Sequence, residues 1–181
     1  MERLTLGVLA WLSIFTAQAV AQNPVVVIST NLGDMKLELF ADKAPKTVKN
    51  FLDYVEKKHY DGLIFHRIIK DFMIQGGGYD ISMSEKATMP PIVNESTNGL
   101  SNKRGTISMA RTSVPDSATS QFFINVVDND RLDKNKCPDG VGYCVFGKVL
   151  EGMEVADKIR SLETIRDKPV KDAVIKSIRR Q

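Results

Sequence analysis

Phe65-His66-Arg67-Ile68-Ile69-Lys70-Asp71-Phe72-Met73-Ile74-Gln75-Gly76-Gly77 is the stretch on which the fold turns, and Ser120-Gln121-Phe122-Phe123-Ile124-Asn125 answers it further along the chain. Successive side chains of a strand point to opposite faces. Met73 and Gln75 therefore share one face against Ile74, and Gln121 and Phe123 share one against Phe122 and Ile124. One face is wholly apolar and belongs to a core. The other presents Gln75, Gln121, Met73 and Phe123, and Arg67 can join them from the preceding strand. Large apolar side chains beside two amides and a guanidinium on an outer sheet face point to a shallow binding groove.

Working outward, Val25 to Ile28 and the alternating Met35-Lys36-Leu37-Glu38-Leu39 read as a β-hairpin joined through Asn31-Leu32-Gly33-Asp34. Pro45 pre-sets a helical first turn. Val48, Phe51, Leu52 and Val55 then fall on one helical stripe that ends before Gly62. Further strands are expected at 63–69, 72–76, 105–110, 119–126, 142–149 and 170–178. A second short helix carries Val155, Ala156, Ile159 and Leu162. About eight short strands with two isolated helices predict a mainly β protein, a closed eight-stranded antiparallel β-barrel capped by two α-helices. The segment from Gly76 to Ser101 is too long for a passive connection and reads as a functional surface loop.

The chain has 181 residues, 43% of them apolar, with 25 Lys+Arg against 22 Asp+Glu. That suits one globular domain and excludes collagen, acidic disordered and multi-span membrane classes. A formal charge of +3 is too small to imply nucleic acid. Residues 4–17 are an apolar stretch followed by Ala19-Val20-Ala21, the small-x-small pattern of a signal-peptide cleavage site. We read 1–21 as a signal peptide and 22–181 as the mature domain, exported and with no stable membrane association after cleavage. The positive n-region is thin (Arg3 offset by Glu2), and a retained anchor is the alternative. Trp11, the one tryptophan, lies in the signal.

Export leaves Cys137 and Cys144 either paired in an oxidising compartment or free, with Cys144 a buried strand residue. No nucleophile elbow, P-loop, HExxH or dinucleotide fingerprint occurs, and Gly76-Gly77-Gly78 lacks the spacing of a phosphate cradle. His66 alternates onto the face of Ile68 and reads as a satisfied core histidine. His59, at a helix end, reads as solvated. Asp128, Asp130 and Asp133 lack the glycine and terminal glutamate of a calcium loop and read as a solvated loop. No metal or other cofactor is expected.

With these segments in hand, the chain resembles the cyclophilins, the cyclophilin-type peptidyl-prolyl cis-trans isomerases. The resemblance is carried by residues 65–77, Gly105-Thr106-Ile107-Ser108-Met109-Ala110-Arg111, residues 120–125 and Val145-Phe146-Gly147-Lys148-Val149. Met109-Ala110-Arg111-Thr112, the triple glycine and Tyr143 resemble the bacterial exported subgroup. The resemblance implies a barrel with two helices, catalysis by Arg67 and Gln75, and substrate contacts from Phe72, Met73, Ala110, Arg111, Gln121, Phe123, Leu132 and Tyr143. It implies a monomer whose partners are proline-containing unfolded or partly folded polypeptides. Arg111 stands where eukaryotic members have an asparagine, Tyr143 where a histidine is common, and Arg131 where the family often has a tryptophan that cyclosporin-type ligands use. Two other readings are a proline-peptide chaperone of the same fold with weak catalysis, and a barrel holding a small apolar ligand. The second is disfavoured because Ile74, Phe122, Ile124 and Phe146 are expected to fill the interior.

Overall fold

The structure, a computed structural model, describes residues 22–181. The signal reading and Trp11 lie outside the described residues. Strands β1 (Val25–Thr30) and β2 (Gly33–Leu39) form the expected hairpin, in register from Val25 opposite Glu38 to Thr30 opposite Gly33. Their alternation is strict: Val26, Ile28, Met35, Leu37 and Leu39 are fully buried, and the residues between them are not. Helix α1 (Pro45–Glu56) follows, then β3 (Arg67–Ile69), β4 (Met73–Gly76), β5 (Thr106–Met109), β6 (Phe122–Asn125) and β7 (Val145–Glu151). Helix α2 (Met153–Arg160), a small hairpin of β8 (Thr164–Ile165) and β9 (Lys168–Pro169), and β10 (Ile175–Arg180) complete the chain.

Eight strands join in one antiparallel sheet in the order β10-β1-β2-β7-β5-β6-β4-β3. The ladder is not continuous all the way round, since β10 and β3 are its edges and the sheet is a curled half-barrel. The chain just ahead of each edge spans the seam. Phe65 N–H donates to Ala173 O at 2.9 Å, Ile175 N–H to Leu63 O at 2.7 Å and Gly62 N–H to Ile175 O at 2.9 Å. This seam explains why the strand expected over 63–69 is regular only from Arg67, and why the last strand begins at Ile175.

The interior is filled by rings. Phe51 of α1 packs against Tyr60, Phe122 and Phe146 with centroids 5.2–5.7 Å apart, and Phe122 meets Tyr60 and Phe65 edge-on. Ile74 and Ile124 are equally buried and fill the interior beside these rings, as expected. Each ring contributes about 1.5–3 kcal/mol by leaving water. Helix α2 buries Val155, Ala156 and Ile159 and packs on β2, β3 and β4.

The segment 76–101, expected as a functional surface loop, is exposed from Ile81 to Thr88 and is tied to the body of the protein at a few points. Ala44 gives α1 no side-chain cap, and Glu95 takes that task, accepting from Lys46 N–H, Thr47 N–H and Thr47 Oγ1. Asn98 Nδ2 donates to Val145 O at 2.8 Å, and Met89 N–H to Tyr54 Oη at 2.8 Å. The glycines at its start are constrained in different ways. Gly77 has φ +87°, and a Cβ on Gly78 would lie 2.6 Å from the Gln121 amide.

Both histidines are buried, which corrects the solvated reading of His59. The left-handed turn at Lys58 (φ 53°) after α1 swings its ring against Tyr54, centroids 4.6 Å apart. His66 is in the core edge-on to Tyr79, but its Nδ1 has no hydrogen-bond partner, so it is not the satisfied residue expected. Burial, then Arg67 and Lys168, lowers the His66 pKa from 6.5 to about 4. The unfolded chain therefore binds more protons than the folded one between these values. The stabilisation is fully present above pH 6.5 and is lost as pH falls towards 4, by about 3 kcal/mol at most. Urea unfolding from pH 7 to 4 should show this slope in the wild type, and His66→Leu should flatten it. Parallel curves would exclude His66 as its source.

Candidate active site

Strands β3, β4 and β6 lie side by side, and their register assembles the site. Arg67 is opposite Gln75, Gln75 opposite Phe123, and Met73 opposite Asn125. A surface cavity of about 410 Å³ is lined by Arg67, Phe72, Met73, Gln75, Ala110, Arg111, Phe123, Leu132 and Tyr143. Nine of the ten expected residues thus meet in one place. The tenth, Gln121, stands behind Gln75, whose Nε2 donates to Gln121 Oε1 at 2.9 Å, and lines a smaller adjoining cavity with Glu85 and Thr119. Met73 and Phe123 are only 2% and 4% exposed, so they form a floor rather than an open face. An apolar floor with a guanidinium and an amide at its edge suits a small ring with a polar linkage beside it.

Two arginines shape the walls. The Arg111 side chain is 2% exposed and paired with Asp139, while Nε donates to Gly142 O at 3.0 Å. Its guanidinium lies 4.4 Å over the Tyr143 ring, which meets Phe123 edge-on at 5.8 Å. Arg111 and hydrogen bonds from Cys137, Val141 and Gly142 hold the Asp139 carboxyl far below its ordinary range. Arg111 therefore clamps the 139–143 turn with its side chain while it also lines the cavity. On the opposite rim Arg131 stacks 4.6 Å over the Phe72 ring.

Phe72 and Leu132 are placed by a buried amide network that the sequence did not reveal. Asn129 Nδ2 donates to Phe72 O and to Asn125 Oδ1, both at 2.8 Å. Asn102 Oδ1 accepts from Ser108 Oγ at 2.8 Å and Asn125 Nδ2 at 3.3 Å, and Asn102 Nδ2 donates to Asp133 and to Tyr143 O. Asn102 and Asn129 lie outside the strands and Asn125 ends one, so they carry no periodic signal, and only their burial, 0–5% exposed, marks them.

The aspartates read as a solvated loop are partly exposed and also tied to their neighbours. Asp133 accepts from Ser101 and Asn102, Asp130 pairs with Lys103 and Lys136, and Asp128 accepts from Arg104 N–H. Lys103 and Lys136 lower the Asp130 pKa to about 2. Cys137 and Cys144 are free, which departs from the paired alternative. Spacing says nothing of direction. Cys144 Sγ points inward, 3.6 Å from Thr47 Oγ1 and 3.8 Å from Asn98 Nδ2, while Cys137 keeps company with Asp139. Burial pushes the Cys144 thiol up to about 11.

A curled eight-stranded sheet with two helices, and a cavity pairing an arginine with an apolar floor, define the class. The profile of the cyclophilin-type peptidyl-prolyl cis-trans isomerases matches residues 25–180, and the chain belongs to this family. It is 53% identical over 160 residues to peptidyl-prolyl cis-trans isomerase B of Escherichia coli (strain K12), covering 85% of this chain and 98% of that protein. It is 55% identical over 151 residues to a peptidyl-prolyl cis-trans isomerase of Acinetobacter baylyi, covering 83% and 79%. A crystal structure of a Cryptosporidium parvum cyclophilin-type isomerase superposes with TM-score 0.74 at 32% identity, covering 88% of this chain and 98% of that one. The same Cryptosporidium protein, solved in the presence of the dipeptide Ala-Pro, gives TM-score 0.72 at 33% identity, covering 85% and 96%. The protein is a peptidyl-prolyl cis-trans isomerase.

Proposed function

We propose that the 410 Å³ cavity is where the prolyl bond turns, with Phe72, Met73, Phe123 and Leu132 holding the proline ring and Arg67 and Gln75 acting on the amide. The convergence of Arg67 and Gln75 over that apolar floor carries the reading. Rotation about an X-Pro bond is opposed by amide resonance, a barrier of roughly 18–20 kcal/mol. No bond breaks, so the catalyst need only favour the twisted amide over both planar forms. As the amide twists, the prolyl nitrogen regains its lone pair and becomes an acceptor, and the permanently charged Arg67 guanidinium donates to it. The Gln75 amide, oriented by Gln121, steadies the carbonyl side. A 10⁵-fold acceleration needs about 7 kcal/mol, within reach of one charge-assisted donor and a fixed ring.

The substrates are proline-containing segments of unfolded or partly folded polypeptides, taken by a monomer exported to the periplasm as the bacterial exported subgroup would be. The apolar run 4–17 and Ala19-Val20-Ala21 support export. Isomerisation of a prolyl peptide followed without protease tests the activity of residues 22–181, and acceleration is expected. Peptide binding with isomerisation at the uncatalysed rate would make the protein a chaperone instead. Mass measurement of the periplasmic protein should show cleavage after Ala21 and no tryptophan emission; an uncleaved chain in the membrane fraction contradicts export of a soluble form. Because Arg131, and no indole, stacks on Phe72, we expect cyclosporin-type ligands to inhibit weakly, and nanomolar inhibition would overturn that expectation.

A further inference from the structure

The unforeseen β8–β9 hairpin ends against the one guanidinium assigned to the reaction. Its two turn residues, Arg166 (φ 51°) and Asp167 (φ 67°), are both left-handed, as a tight two-residue hairpin turn requires. Asp167 is attached to β3 twice. Its carbonyl accepts from Ile68 N–H at 2.7 Å, and its carboxylate Oδ2 lies 3.5 Å from Arg67 Nε. Among the described residues no other carboxylate pairs with Arg67.

We propose that Asp167 is a positioning residue for Arg67. Both side chains are nearly half exposed, at 45% and 47%, so the pair adds little to stability. Its value lies in geometry. An exposed arginine is among the side chains that lose most freedom when ordered, and a donor must already be aimed when the amide twists. A carboxylate at Nε fixes the plane of the guanidinium and leaves both terminal amines for the substrate. The inference rests on the assignment of Arg67 above.

Two substitutions separate this role from a structural one. Asp167→Gly keeps the left-handed turn and removes the carboxylate, and Asp167→Asn keeps a polar oxygen beside Nε at a residue type that tolerates the same backbone. Asp167→Gly should lower kcat about five-fold with KM within two-fold and the melting temperature little changed, while Asp167→Asn should recover most of the loss. In an Arg67→Ala background, Asp167→Gly should change nothing further. A slow Arg67→Ala enzyme beside an Asp167→Gly enzyme at wild-type speed overturns this inference alone. So does an equal five-fold loss in both backgrounds, which marks a structural effect. An Arg67→Ala enzyme as fast as wild type removes the catalytic assignment and this inference with it.

Discussion

Arg67→Ala should lower kcat/KM for prolyl isomerisation by about 10²–10³, the usual cost of removing one donor aimed at charge that develops in a transition state. The loss should fall on kcat, because planar cis and trans amides keep the prolyl lone pair delocalised and offer the guanidinium little to bind. The Arg67 side chain is nearly half exposed at the start of an edge strand, so the variant should fold as well as the wild type. Arg67→Lys should remain well below wild type, since an ammonium lacks the planar fork held at one end while donating from the other. Protease-free kinetics with matched melting curves decide the point. A variant with unchanged kcat would shift the chemistry to Gln75 or to the apolar pocket alone.

Asn102→Ala should have the largest effect on stability outside the ring core, about 3 kcal/mol. Asn102 is fully buried and joins four partners, so its removal leaves the Ser108 hydroxyl, the Asn125 amide and the Tyr143 carbonyl short of a partner together. The damage should also reach the site. Asn125 orients Asn129, and Asn129 holds Phe72 O, so KM should rise as the pocket wall loosens. Urea denaturation should show a lower midpoint at unchanged slope. A change below 1 kcal/mol would mean that the network relaxes or admits water without cost.

Much of the site was legible because it is built from strands. Period-2 alternation separated Ile74, Phe122 and Ile124 from Met73, Gln75 and Phe123 without any knowledge of pairing, and the register then brought Arg67, Gln75 and Phe123 into line. The family resemblance supplied the rim residues Ala110, Leu132 and Tyr143, which no periodicity marks. What escaped lies where side-chain direction depends on distant backbone. The His59 ring turns inward only because Lys58 is left-handed, and Cys144 faces Thr47 because β7 starts beside α1. The hairpin at 164–169 escaped because its strands are two residues long and its turn is Arg-Asp, without the glycine that advertises such turns.

The seam between β10 and β3 bears on the company this protein keeps. An unpaired strand edge is a template on which another extended chain can add itself, and proline-bearing unfolded polypeptides are rich in such chains. Here the two edges face each other, and the residues beside them spend their amides and carbonyls across the gap. Where the seam is bonded, from Gly62 to Phe65 and from Ala173 to Ile175, an incoming extended chain would find the backbone groups already taken.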